Sequence, residues 1–126
     1  KYKKSNWKFT SKITVNILEE FLNKSNSKEF SLAIYDRVLY MMSTREISNH
    51  FLNFGKYFKF IIIDDFVHNN NYVMKSGGYT SKNYKKILSD LNFQLFSQID
   101  SQHKISQIDP FYQKSGKILI FEKINS

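Results

Sequence analysis

A chain of 126 residues with 41% apolar content is long enough to bury one core and too short for two, so a single domain spanning 1–126 is expected. No apolar stretch approaches the roughly 20 residues that cross a bilayer, KYKKSNWKFTSK lacks the apolar centre of a signal peptide, and the lack of cysteine excludes disulfides, thiolate metal sites and cysteine nucleophiles. The net charge of +8 comes from 17 lysines and two arginines, and the lysines run from Lys1 to Lys123, so the charge favours a polyanion such as nucleic acid without marking a site for one.

The default expectation is therefore a soluble, cytoplasmic protein with no membrane partner. The chain opens on Lys1 and its first methionine is Met41, which leads us to expect a piece of a longer polypeptide.

In chain order, Ser11 or Thr14 can cap a helix through ITVNILEEFLNK, where Ile17, Leu18, Phe21 and Leu22 share one face. SNSK at 25–28 breaks it. FSLAIYDRVLYMM then runs almost unbroken in apolar residues, which suits a strand buried on both faces. Ser43 or Thr44 opens a second helix, TREISNHFLNFGK, with Ile47, Phe51, Leu52 and Phe54 inward and Gly55 at its end. YFKFIIIDDF is the clearest strand: three isoleucines run into two aspartates, as where a central strand emerges into solvent. VHNNNYVMKSGGYTS is a polar loop, and SKNYKKILSDL resumes a helix capped by Thr80 or Ser81. FQLFSQID and GKILIFEKI close the chain as two strands with Pro110 in the connection between them. With no helix in that connection, they should be antiparallel neighbours. Alternation of this kind implies an α/β fold with right-handed crossovers.

That order, closing on a strand pair, resembles the C-terminal half of a Rossmann-like (class I) S-adenosylmethionine-dependent methyltransferase. FSLAIYDRVLYMMSTREI is similar, without gaps, to the family's fourth strand and following loop: Phe30, Leu32, Ile34, Val38, Leu39 and Ser43 fit the pattern. Ser31 stands where an aspartate is usual, Asp36-Arg37 forms the polar pair, and Met41 takes the frequent histidine position. KFIIIDDF resembles the fifth strand, and NFQLFSQID and GKILIFEKI the sixth and the antiparallel seventh. The resemblance runs from about Ile13 onward. It implies half of a three-layer Rossmann-like fold, mostly parallel with a terminal antiparallel strand.

It also implies S-adenosylmethionine as cofactor, with a glycine-rich turn and an acidic ribose ligand that the four glycines at 55, 77, 78 and 116 do not provide. The partner implied is the missing N-terminal half, or a second copy pairing through the strand edge its absence would expose. Tyr35 and Arg37 would flank the methyl donor. Trp7, Lys12 and Ile13 fall where the family's third-strand loop meets the adenine, although core packing also accounts for Trp7.

Methyl transfer is an in-line displacement, in which a base is needed only when the acceptor must lose a proton. Asp36 is the first candidate for that base and Asp64 the second; the plainer reading of Asp36 is a strand-end ion pair with Arg37 or Lys28. Asp65, His68 and Tyr79 would bind the acceptor, a small molecule or macromolecule of unknown identity. Asp64, Asp65 and His68 together could instead hold a divalent metal, or an aspartate could cap the next loop, and no metal is assigned. Tyr72 and Tyr84 would line the acceptor side or lie at the surface. His50 and His103 read as structural or solvated. A non-catalytic scaffold, a basic nucleic-acid-binding module and a nuclease-like site at Asp64, Asp65 and Lys75 stand as alternatives.

Overall fold

The computed structural model describes residues 14–67, 72–73, 80–101 and 116–124. In chain order these form α1 (Val15–Lys24), β1 (Phe30–Asp36), a 3-10 turn (Leu39–Met41), α2 (Thr44–Phe54), a second 3-10 turn (Gly55–Tyr57), β2 (Phe58–Phe66), β3 (Tyr72–Val73), β4 (Thr80–Ser81), α3 (Tyr84–Ser89), β5 (Phe93–Asp100) and β6 (Gly116–Lys123). No described helix is long and apolar enough to cross a membrane.

Local chemistry sets the helix starts. The Thr14 hydroxyl accepts from the Ile17 N–H at 3.2 Å and opens α1. Ser43 and Glu46 form a reciprocal capping box at α2, the Ser43 hydroxyl accepting from the Glu46 N–H (3.1 Å) while the Glu46 carboxylate accepts from the Ser43 N–H (2.7 Å). The third helix starts later than Thr80 or Ser81, because those two residues pair with Tyr72 and Val73 as a short ribbon, and Asn83 supplies the cap. Gly55 ends α2 with an ordinary right-handed backbone; its lack of a side chain matters because a Cβ there would lie 3.3 Å from the Phe93 ring.

The apolar run after Phe30 is not one strand. β1 stops at Asp36, and Arg37 takes a left-handed φ of 52° and donates its N–H to the Asp64 carbonyl at 2.8 Å. The rest of the run becomes the 3-10 turn, so what reads as continuous apolar sequence is a strand followed by a corner in which Leu39 is buried while Val38 and Met41 are exposed.

The sheet order is β1-β2-β6-β5. β1 and β2 are parallel, with Ala33 beside Ile61 and Asp36 beside Asp64. β6 inserts antiparallel between β2 and β5. β5 therefore points the same way as β2, and the crossover through α3 passes over the place β6 later fills. The sheet is mixed: three strands share a direction, yet two of its three ladders are antiparallel. The expected antiparallel pairing of the last two strands is present, and β6 lies inside the sheet.

One face of the sheet carries the core. Ile61 and Ile63 of β2, Leu119 and Phe121 of β6 and Phe93 of β5 pack against Ile47 and Phe51 of α2 and Ile87 and Leu88 of α3. α1 adds a second cluster, in which Leu18 and Leu22 meet Tyr57 beside Phe30, Phe54 and Phe58.

The opposite face departs from a three-layer arrangement. Alternation turns Leu32, Ile34, Phe60, Ile62, Ile118 and Ile120 onto it, and no described helix covers them. Ile34 and Phe96 are each 66% exposed and Ile99 55%. β1 is thus covered on one face only among the described residues, with Phe30, Ala33 and Tyr35 half-buried, contrary to what its composition implies.

This asymmetry sets an expected outcome. Ile63→Ala should cost about 2–5 kcal/mol of unfolding free energy, the range for deleting a buried branched side chain, while Ile34→Ala should change it by less than about 0.5 kcal/mol. Urea titration of the two variants checks this; equal losses would mean that the open face is covered in solution.

Candidate functional site

The carboxyl ends of parallel strands are where an open α/β sheet offers groups to a ligand. At that rim the parallel register sets Asp36 of β1 beside Asp64 of β2, both on the open face. The Asp36 carboxylate is exposed and accepts from Arg37 Nε at 2.9 Å. Asp64 is nearly covered, and its Oδ2 accepts from the Ser101 hydroxyl at 3.4 Å. The structure thus brings Asp36, Arg37 and Asp64 together, and it realises the Asp36–Arg37 ion pair that is the plainer reading of Asp36.

Asp65 lies one residue on and so points to the other face. No part of it is exposed. Its Oδ2 accepts from the Leu39 and Tyr40 N–H groups, both at 3.1 Å, and its Oδ1 from the Phe66 N–H at 2.8 Å. Val38, at the head of the 3-10 turn, supplies no side-chain cap. Asp65 therefore caps that turn from across the sheet, holding the corner that follows β1. Because Asp64 and Asp65 face opposite ways, they do not converge on one ion. Among the described residues no three of His, Cys, Asp and Glu gather into a metal-holding group.

Burial is the largest influence on the Asp65 carboxyl and pushes its pKa up to about 6, while the three backbone N–H groups pull the other way. Lys82 and Tyr84 are buried with it. Burial lowers the Lys82 pKa, and the charge of Asp65 opposes that shift. The Tyr84 hydroxyl titrates well above its ordinary range through burial and the nearby Asp65 charge; it lies beside the carboxylate without reaching hydrogen-bonding geometry and has no partner.

Tyr35 shares the helix-side face with Ala33. Its hydroxyl lies 2.7 Å from His50 Nε2, the phenol donating when the imidazole carries its proton on Nδ1. Burial holds Tyr35 protonated far above the usual phenol range and lowers the His50 pKa, so both are neutral at neutral pH. The His50 ring packs on Tyr35, Phe51 and Phe54. Leu18, His50 and Phe54 of the helices, Phe58 of β2 and Phe30, Leu32, Ala33, Ile34 and Tyr35 of β1, residues of both faces of that strand, line an apolar cleft of about 260 Å³ along β1. Tyr35 is thus turned toward α2, away from the Asp36 and Asp64 carboxylates.

Trp7, Lys12, Ile13, His68, Lys75, Tyr79 and His103 lie outside the described residues. The pairing of Tyr35 with His50 was open to discovery, since Ile47, His50, Phe51 and Phe54 form one i, i+3, i+4, i+7 stripe. Nothing local announces that Lys82 and Tyr84 are buried beside Asp65; that follows from where the β3–β4 ribbon delivers α3. Compared with known proteins, the chain matches no protein-family model and no curated protein.

For Asp65 the sign of linkage is definite. Its folded pKa is raised, so its contribution to stability is fully present below about pH 4 and lost as pH rises through about 6. The unfolding free energy of the native chain, measured relative to Asp65→Asn, should therefore fall by on the order of 3 kcal/mol between pH 4 and pH 7. Parallel urea titrations at several pH values check this, and a pH-independent difference would mean the carboxyl is solvated.

Proposed function

We propose that this chain is the C-terminal portion of a Rossmann-like, S-adenosylmethionine-dependent methyltransferase, acting on an acceptor of unknown identity. The observation that carries the reading is the sheet: its strands follow the order of elements in the resemblance, and β6, the counterpart of the antiparallel seventh strand, runs against both neighbours. The apolar face that no described helix covers supports it further, since an upstream half would pack there.

The residues in hand fit one wall of a cofactor site. Asp36 and Arg37 stand at the rim where the family's fourth-strand loop flanks the methyl donor, and Asp65 fixes the corner behind them. The cofactor would supply an electrophilic methyl group. Asp36 would orient the acceptor or take its proton. The glycine-rich turn and the ribose ligand are absent from the sequence, so the second wall has to come from another segment or chain.

The uncovered face equally favours a non-catalytic descendant that uses it for assembly. The basic-module reading draws less support. Lys24, Lys117 and Lys123 pair with Glu20, Asp100 and Glu29, and Lys82 is buried, so these four lysines do not offer one unpaired cationic face.

Calorimetric titration of S-adenosylmethionine and S-adenosylhomocysteine, into this chain and into the chain joined to its native upstream sequence, tests the proposal. Binding only in the longer chain is the expected result, and Asp36→Asn should then slow transfer with little change in cofactor affinity. Absence of binding in both would reject the enzyme and leave the scaffold.

A further inference from the structure

We propose that the outer edge of β1 is a self-association surface, on which two copies of this chain pair β1 against β1, antiparallel, about a two-fold axis through Ala33. The inference concerns this polypeptide and stands apart from the methyltransferase reading.

The first observation is the edge itself. β1 ends the sheet, with β2 on one side and no described strand on the other. Six of its seven residues pair with β2 in one unshifted register, so the outward row of N–H and C=O groups is regular. An edge of that kind is a template for another strand. The strand carries no charge between Phe30 and Tyr35, and neither proline nor an inward-pointing lysine blunts it.

The second observation is complementarity with itself. Facing residues in an antiparallel pair point to the same side of the sheet, so a two-fold axis normal to the sheet requires some residue to face its own copy. Full overlap of Phe30–Asp36 selects the central residue, Ala33. Ala33 then meets Ala33, where a small side chain permits close approach on the helix side. Leu32, 43% exposed, and Ile34, 66% exposed, meet each other twice on the open face. Ser31 lies opposite Tyr35. Phe30 lies opposite Asp36, and just beyond the strand ends Glu29 of one copy, paired with Lys123 of its own chain, comes beside Arg37 of the other, paired with Asp36. A shift by one residue is forbidden by the faces. A shift by two in either direction shortens the overlap.

The third observation is the apolar cleft along the same strand, lined by residues of both its faces, which a second strand would cover.

The chain contains no cysteine, so single-cysteine variants report the register directly. Sedimentation of the 126-residue chain at increasing concentration should show a species of twice 15.0 kDa. Ala33→Cys should form a disulfide-linked dimer under mild oxidation. Ser31→Cys should not, because its two copies would stand four residue rises apart, about 13 Å, beyond disulfide reach. Ile34→Lys, at an exposed position, should leave the circular dichroism unchanged and raise the dimer dissociation constant by about tenfold or more. A chain that stays at 15.0 kDa at high micromolar concentration overturns the proposal. So does a dimer indifferent to Ile34→Lys, or one that crosslinks through residue 31 and not through 33.

Discussion

The Asp65 carboxylate loses its water on folding, and three backbone N–H groups replace that water. Two of them, from Leu39 and Tyr40, come from a corner 25 and 26 residues earlier in the chain. Transferring an ionised carboxylate out of water without such partners would cost far more than a domain of this size can offset. The interaction therefore dictates local structure on both sides of itself. It forces β2 to end against the turn that follows β1, and it makes that turn a 3-10 corner whose start has no cap of its own. Asp36 and Arg37 stand immediately before this corner, so an exposed charged pair at the rim is held in place by a group that never reaches solvent.

The second constraint is that a strand has two faces and the described helices cover one. β2 is long and apolar on both sides, and the isoleucines alternate between a dry interior and a half-covered surface. Leu32, Ile34, Phe96 and Ile99 add to that surface. Apolar residues of this size gathered on one side of a sheet mark a surface meant to be covered. The composition of β1 reads as a strand buried on both sides, and described helices cover one of them.

Much of the fold was legible because its signals are local. Thr14, Ser43 and the three isoleucines of β2 state their roles in a few residues, although the two aspartates that read as a strand end emerging into solvent are buried, and the lack of a helical pattern in the sequence between the last two strands leaves antiparallel pairing as the economical outcome. What escaped depends on distance along the chain. The early end of β1 rests on Arg37 bonding to the Asp64 carbonyl, 27 residues away. The late start of α3 rests on Thr80 and Ser81 being taken by β3. The site divides in the same way. Asp36 and Asp64 share a rim because each ends its strand, which alternation and register make readable. The turning of Asp65 into the core was implicit in the same alternation, since neighbours in a strand face opposite ways. The burial of Lys82 and Tyr84 around it was not.

Two residues of β5 stand against one of β6 between Leu95 and Ser97, and Phe96 occupies the extra place. This bulge carries Ile99 across to the open face, opposite Ile118, where strict alternation from Phe93 and Leu95 would have kept it inside. It also makes the two edges of the sheet unequal. β1 presents a regular row of backbone groups, whereas the outer row of β5 is broken and more strongly twisted. A sheet with two good edges propagates into open filaments. One good edge closes after a single pairing. Phe96 thereby makes the β5 edge the poorer template for a further strand, on the opposite side of the sheet from the regular edge of β1.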